Sequence, residues 1–240
     1  MFTASLQLSA QELNTTASTQ RHTLGSIGVT ADGRIFRYSL AGAVDLSAGK
    51  LVTSQAKVAN HTNATAAAAA AVGDRTVSVT VGATAVTADQ YKDGYLTVID
   101  VAGVGQNLRI AGNTACSSSG TTVVSLQDPL TVALTTSSKV SLVYNPWAST
   151  IISASAVALF ACGVPQLSVT AGYYHWAQTG GMASVLSDGV IGKASGAIIS
   201  DAVNGAVEVE VAGTVTQRVG TAPEATVDAK YYPLYLTIDR

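Results

Sequence analysis

The sequence contains few charged residues, and this shortage excludes several classes of protein. Asp, Glu, Lys and Arg make up 12% of the 240 residues, about half the share of an ordinary soluble domain. Thirteen basic residues face 15 acidic ones, so the chain lacks the positive field of a nucleic-acid-binding protein. Disorder requires low hydrophobicity, whereas 48% of the sequence is hydrophobic. Because lone soluble proteins keep more charge exposed, the composition predicts that part of the surface is covered in an assembly.

Cysteines and long apolar runs are also scarce. Cys116 and Cys162 form no disulfide framework and lack metal-ligand spacing, so both are interpreted as ordinary buried or loop thiols. The best apolar run, Ile151 to Gly163, is interrupted by serines and is shorter than the roughly 18 residues of a membrane span. Residues 1–10 lack the features of a secretory signal. We therefore expect synthesis in the cytoplasm, or export by another route, and no membrane partner.

Small and β-branched residues are abundant and occur in alternating patterns. Ala, Val and Thr number 39, 29 and 28. Apolar and polar residues alternate at 76–81, 207–211 and 234–239, which is typical of half-buried strands. Dipeptides such as Asp93-Gly94 and Asn204-Gly205 favour tight turns between strands. The sequence predicts a mainly β fold, with a β-barrel or sandwich body, an extended N-terminal arm and at most one short helix.

Composition divides the chain into three segments. Residues 1–65 contain a polar arm, up to about residue 25, and the first strands. Residues 66–169 are a strand-dense central β domain, and residues 170–240 are a C-terminal β segment with more glycine. The alanine run at 66–71 has the composition of a short helix, because alanine has the highest helix propensity.

No arrangement of residues in the sequence selects a catalytic or metal site. His22, His61 and His175 are far apart, whereas a zinc site requires several ligands at suitable spacing. The glycines at 103–105 lie between two strand-like runs and not before a helix, which favours a hairpin over a phosphate-binding loop. No Gly-x-Ser-x-Gly motif marks a nucleophile. We therefore predict a protein that is not an enzyme and uses no cofactor or metal.

The densest aromatic cluster lies at residues 172–181. Strand alternation places Tyr173 and His175 on one face and Tyr174 and Trp176 on the other. One interpretation is a core strand whose polar tips are hydrogen-bonded. The other is an exposed platform, for which Tyr173, Tyr174 and Trp176 form a candidate oligomer or partner interface.

Distinctive motifs extend over most of the chain. They are Thr30 to Tyr38, Ala41 to Leu46, Gly49 to Leu51, Asn60-His61 with the alanine run, Tyr91 to Leu96, Gly103 to Gln106, Gly163 to Pro165, and Trp176 to Gly181. From about residue 20 to the end, the sequence resembles the head decoration, or cement, proteins of tailed bacteriophages. The motifs that carry this resemblance are structural and not catalytic.

The resemblance implies a virion protein on the outer capsid surface, often a homotrimer. Such a protein binds the major capsid protein where capsomers meet and stabilises the head against the pressure of packaged DNA. The polar arm is suited to strand addition on a neighbouring subunit. The expected capsid contacts are Leu6, Leu8, Arg21, Arg34, Phe36, Arg37 and Tyr38.

Two other interpretations stay open. One is a tail, baseplate or fibre module that binds host surface glycans, with Tyr173, Tyr174 and Trp176 as the stacking platform. The other is a secreted adhesin or surface-layer domain, which the missing secretory signal disfavours.

Overall fold

The computed structural model describes residues 5–154, 159–211, 213 and 216–239, and strands dominate this part of the chain. The predicted mainly β fold is confirmed. Residues 1–4 of the predicted arm and residues 155–158 of the apolar run lie outside the described residues. In chain order the strands are β1 (Leu6–Gln7), β2 (Ile27–Val29), β3 (Ile35–Leu40), β4 (Val52–Thr53), β5 (Ala64–Ala66), β6 (Thr76–Thr80), β7 (Tyr95–Asp100), β8 (Asn107–Asn113), β9 (Thr121–Leu126), β10 (Lys139–Val143), β11 (Ile151–Ile152), β12 (Ala161–Pro165), β13 (Tyr174–Leu186), β14 (Gly196–Ile199), β15 (Val207–Val209), β16 (Arg218–Thr221) and β17 (Tyr231–Thr237).

The chain forms two compact units. The sheet unit contains residues 1–55 and 146–240, and the barrel unit contains residues 56–145. Their boundaries differ from those of the three compositional segments. The physical reason is that β3 pairs with β13 and β13 pairs with β17, which joins the two ends of the chain in one sheet.

The barrel unit is closed by strands in the order β10-β5-β6-β9-β8-β7. Val77 and Val79 of β6 point into the core, while Thr76, Ser78 and Thr80 lie on the outer face. The same alternation in the other strands produces one hydrophobic core of valine, leucine, isoleucine and alanine side chains. Because the ring of strands is complete, the paired strands of residues 56–145 present no sheet edge to solvent.

The alanine run does not form the predicted helix, so that prediction was wrong. Ala66 is the last residue of β5, and the following alanines continue to pair with neighbouring segments. Ala67 N donates to Ser78 O at 2.8 Å, and Ala70 N donates to Leu134 O at 3.0 Å. These tertiary hydrogen bonds override the helix propensity of alanine, which is a weak preference. In the described residues, the α-helix α1 (Ala10–Leu13) and a 3-10 helix (Ala59–His61) lie elsewhere.

The sheet unit is built on a sheet whose main path is β1-β2-β3-β13-β17-β16-β14-β15. β13 is 13 residues long and is central to this sheet. Its first half, Tyr174 to Gly180, pairs with β3, and its second half, Gly180 to Leu186, pairs with β17. β12 also pairs with β13, and β4 pairs with both β12 and β11.

The N-terminal arm lies against its own sheet. β1 pairs with β2 in parallel, and the Ser9–Glu12 capping box begins α1. Leu8 and Leu13 are buried in the cluster that contains Trp176. A Cβ atom at Gly28 of β2 would lie 2.3 Å from Leu8 Cδ1, so glycine allows this close approach of the arm.

No helix of the described residues combines the length and the hydropathy needed to cross a membrane.

Candidate interaction surfaces

The aromatic strand β13 packs against β3 beneath the arm. Trp176 lies opposite Tyr38 in the register, and Tyr174 lies opposite Leu40. The ring centroids of Tyr38 and Tyr174 are 5.7 Å apart in a stacked geometry, and those of Tyr38 and Trp176 are 5.1 Å apart. Tyr174 and Trp176 therefore share one face of the sheet. Trp176 is only 3% exposed, so this face is largely a core that the arm covers.

The ten residues predicted to make contacts are divided between core and surface. Leu8, Phe36, Tyr38 and Trp176 come together in one hydrophobic cluster, with Tyr174 packed against it. The other five predicted residues lie outside that cluster, and they are Leu6, Arg21, Arg34, Arg37 and Tyr173.

The arginines of β3 and the preceding turn are engaged in ion pairs. Arg34 pairs with Asp32 at 2.8 Å, and Arg37 pairs with Asp239. Leu6, Arg21 and Tyr173 are exposed. In this conformation of the chain, these three residues offer the most surface to a partner among the ten.

A cleft lies between the arm and the aromatic face. Its volume is about 330 Å³, and its walls include Glu12, Arg21 and His22 of the arm. Tyr174 and Trp176 form the opposite wall together with Tyr38. Tyr174, Trp176, Tyr38 and Arg21 were predicted as contact residues from the sequence. Glu12 and His22 were not, because no local pattern in residues 5–25 shows that this segment folds back on the sheet.

A second candidate surface lies at one end of the barrel. We call it the three-loop end, and it consists of residues 70–73, 101–106 and 130–138. Ala70 and Leu134 exchange backbone hydrogen bonds, and Ser138 Oγ donates to Ala102 O at 2.8 Å. These bonds hold the three loops together. The hairpin predicted for residues 103–105 is confirmed, since residues 101–106 connect β7 to β8.

Gln106 joins two of these loops through its side-chain amide. Its Oε1 accepts hydrogen bonds from Thr131 N at 2.9 Å and Val132 N at 3.1 Å. Its Nε2 donates to Gly103 O and Val132 O. The amide therefore uses both its donor and its acceptor atoms to fix the loops, which are held in a defined conformation.

The residues of the three-loop end are uncharged and expose aliphatic side chains, and at its edge the exposed carboxylates of Asp74 and Asp100 accept hydrogen bonds from Ala71 N and Val101 N. Val72 and Val104 are 64% and 63% exposed, and Val101, Val132 and Ile99 of the adjoining strand are also exposed. Val101 has a φ angle of 66°, which is an outlier for a β-branched residue. Strain of this kind persists where the surrounding structure enforces it, and it is concentrated at functional positions.

The three-loop end was not predicted from the sequence, although one signal was available. Residues 101–106 and 130–138 are long for turns and contain no charged residue. The exposed valines were not distinguishable from buried ones by periodicity, because the loops have no strand pattern.

The described residues show no cluster of metal-binding side chains. They contain no group of three or more His, Cys, Asp or Glu side chains that could hold a metal ion. His61 Nδ1 forms a hydrogen bond with Tyr91 OH at 2.6 Å, and His61 Nε2 forms one with Thr84 O at 2.9 Å. Cys162 Sγ donates to Pro146 O, and burial raises the pKa of this thiol. A raised pKa keeps the thiol protonated and unreactive.

His175 differs from the other two histidines. It is 1% exposed, and neither ring nitrogen has a hydrogen-bond partner of normal geometry among the described residues. Burial lowers the pKa of His175 to about 4, against a smaller opposing effect of the Tyr173 backbone. The imidazole is therefore neutral at physiological pH.

Comparison of the chain with protein-family models, curated proteins and solved structures finds no match. The resemblance to phage head decoration proteins therefore rests on the sequence motifs alone and stays a prediction.

Proposed function

We propose that this chain is a structural virion protein of the decoration, or cement, class. It binds the major capsid protein at capsomer junctions on the outer head surface, acts as a homotrimer and stabilises the head against internal DNA pressure. The observation that carries the proposal is the three-loop end, with its exposed aliphatic side chains and no charged residue within its own three loops. The sequence motifs supply the class of partner.

The chemistry of the three-loop end is suited to a protein contact. Exposed aliphatic side chains gain free energy when a partner removes them from water, and the centres of protein interfaces are depleted in charge. Gln106 fixes two of the loops before binding, so little conformational entropy is lost on association. Several such contacts within one trimer reinforce one another through multivalency.

The arm provides a second contact in this proposal. β1 is the terminal strand of the sheet path, so its outer side is available for strand addition by a coat subunit. Leu6 and Arg21 are exposed on the arm and supply side-chain contacts there. Phe36 and Tyr38 are buried, and their role in this proposal is to support the arm from below.

The test adds purified protein to heads of the encoding phage that lack this protein. Val104→Asp places a charge at the three-loop end, and we expect it to abolish co-sedimentation with the heads. Val123→Asp is the matched control, because Val123 is an exposed valine on the wall of the barrel. Equal loss of binding in both variants, or retention in both, would contradict a role for the three-loop end.

A second measurement addresses the stabilising role. Heads with and without the protein are heated, and genome release is followed with a DNA-binding dye. We expect release at a lower temperature when the protein is absent. Equal release temperatures would refute stabilisation, and antibody labelling of tails rather than heads would support the tail or fibre interpretation instead.

A further inference from the structure

We infer that the cleft between the arm and β13 binds a neutral pyranose sugar. This inference goes beyond the proposed capsid role and does not depend on it. It concerns a site with an aromatic wall, a polar wall and a volume of about 330 Å³. That volume is at the lower end of the range for small-molecule sites, so it suits one or two sugar rings.

The aromatic wall is built in advance of binding. Tyr38 stacks on Tyr174 with an interplanar angle of 8°, and Trp176 contacts Tyr38 edge-on. The His22 ring lies 5.1 Å from Tyr38 and 5.5 Å from Trp176 between centroids. Pyranose rings have an apolar C–H face, and aromatic rings combine an apolar body with a polar tip. Tyr38 and Trp176 are each 3% exposed, so the half-buried ring of Tyr174 is the part of this wall that such a face would contact.

The polar wall offers both an acceptor and a donor. Glu12 Oε2 accepts hydrogen bonds from Ser9 N at 2.8 Å and Ser9 Oγ at 2.9 Å. The described hydrogen bonds of this carboxylate leave Oε1 available. The Arg21 guanidinium is exposed and forms no ion pair with any described residue. A carboxylate accepts hydrogen bonds from hydroxyls, and a guanidinium donates to them in a fixed planar fork.

Neutral polyhydroxyl ligands match this wall better than charged ones. Glu12 and Arg21 carry opposite charges, so their sum favours neither an anion nor a cation. An anionic sugar would be attracted by Arg21 and repelled by Glu12, while a neutral ring with neighbouring hydroxyls satisfies both. The Glu12 carboxylate is held in place by its two hydrogen bonds from Ser9, so it can orient a hydroxyl at little entropic cost.

The experiment is saturation-transfer difference NMR on the free full-length protein. The probes are the methyl pyranosides of glucose, galactose and mannose, with methyl glucuronoside as the anionic comparison. We expect transfer to the ring protons of at least one neutral probe and weaker transfer to the anionic one. No transfer to any neutral probe, or a preference for the glucuronoside, would overturn the inference.

Variants then assign the transfer to the cleft. Arg21→Ala and Glu12→Gln change exposed side chains, and glutamine retains the capping box, so both variants are expected to fold. Each should weaken binding about tenfold, which is the order expected for loss of one charge-assisted hydrogen bond. Tyr174→Ala should abolish transfer.

Tyr173→Ala is the matched control, because Tyr173 is exposed beside the cleft without lining it. It should leave the transfer unchanged. Transfer that survives Arg21→Ala, Glu12→Gln and Tyr174→Ala would place the sugar elsewhere and overturn the inference. Because this experiment uses the free protein without heads, absence of sugar binding would leave the capsid proposal unaffected.

Discussion

Arg37 and Asp239 are 202 residues apart in the sequence and form a bidentate ion pair. The two hydrogen bonds are 2.5 and 2.9 Å long, and Arg37 also donates to Gly25 O at 2.7 Å. The guanidinium carbon lies 4.7 Å from the centroid of the Trp147 ring. One side chain therefore joins the end of the arm, β3 and the end of the chain.

We expect Arg37→Lys to lower the free energy of unfolding by about 1–3 kcal/mol. Lysine keeps the charge but loses the bidentate geometry and the planar stacking, and both carboxylate and guanidinium are only 20% exposed. The measurement is equilibrium unfolding in urea. Arg34→Lys is the control, because its partner Asp32 is exposed and an exposed ion pair contributes little to stability. Equal losses in the two variants would contradict this account.

Leucines of the arm should differ in their contribution to stability. Leu13→Ala removes a side chain that is 4% exposed, so we expect a loss of about 2–4 kcal/mol. Leu6→Ala changes a side chain that is 37% exposed, so we expect a change within about 0.5 kcal/mol. Thermal melting of both variants checks this. If Leu13→Ala melts like the parent, the arm is not part of the folded core.

The packing of the arm against the sheet decides which variant can test an arm contact with the capsid. Deletion of residues 1–25 would remove Leu8 and Leu13 and uncover Trp176, so lost binding by that variant would have two explanations. Leu6→Asp changes an exposed arm residue and leaves the core intact. It is the sharper probe of an arm contact, and unchanged binding of this variant to heads would argue against that contact.

His175 should make the fold sensitive to acid. Its pKa is lowered from the ordinary 6.5 to about 4 by burial, so between these values the unfolded chain binds a proton that the folded chain excludes. The contribution of neutral His175 to the free energy of unfolding is fully present above pH 6.5 and is lost as the pH falls towards 4. Because each tenfold change in proton affinity corresponds to about 1.4 kcal/mol, the loss amounts to about 3 kcal/mol.

His175→Leu tests this sign directly. Leucine has a similar volume and no ring nitrogens, so we expect the variant to lose less stability than the parent between pH 6.5 and 4. The measurement is urea unfolding at several pH values, with pH 8 as the reference where the parent histidine is neutral in both states. Parallel profiles for parent and variant would show that another group causes the acid sensitivity.

Strand alternation could be read from the sequence because it depends on near neighbours. The outward Thr76 and inward Val77 of β6, and the shared face of Tyr174 and Trp176, follow from a period of two. The alanine run misled the prediction for the opposite reason. Its backbone pairs with Ser78 and Leu134, and such long-range pairing leaves no local signal in the sequence.

The candidate surfaces were predictable only in part. The β13 aromatics were found from their density, but the arm residues that face them, Glu12 and His22, are brought there by a fold-back of the chain. Phe36 and Tyr38 were predicted to contact a capsid, yet a half-buried strand has the same pattern whether an arm or a partner covers it. The sequence pattern alone does not distinguish these two kinds of cover.

Val101 should link stability to binding at the three-loop end. Its φ of 66° costs a β-branched residue about 1–3 kcal/mol, and glycine adopts this angle without strain. Glycine also gives the unfolded chain more conformational entropy, which lowers the free energy of unfolding by about 0.4–1 kcal/mol. We therefore expect Val101→Gly to raise the free energy of unfolding by about 1 kcal/mol, while loss of an exposed aliphatic side chain weakens binding to heads.

Val104→Gly is the matched control for this prediction. Val104 lies in the same loop, is 63% exposed and is not among the residues with positive φ. Its replacement relieves no strain, so only the entropic cost of glycine remains and stability should fall by about 0.4–1 kcal/mol. If the two variants change stability in opposite directions but lose head binding to a similar extent, Val101 keeps its strained conformation because its side chain contacts the head. A loss of stability in both variants would mean that the Val101 conformation carries no strain to release.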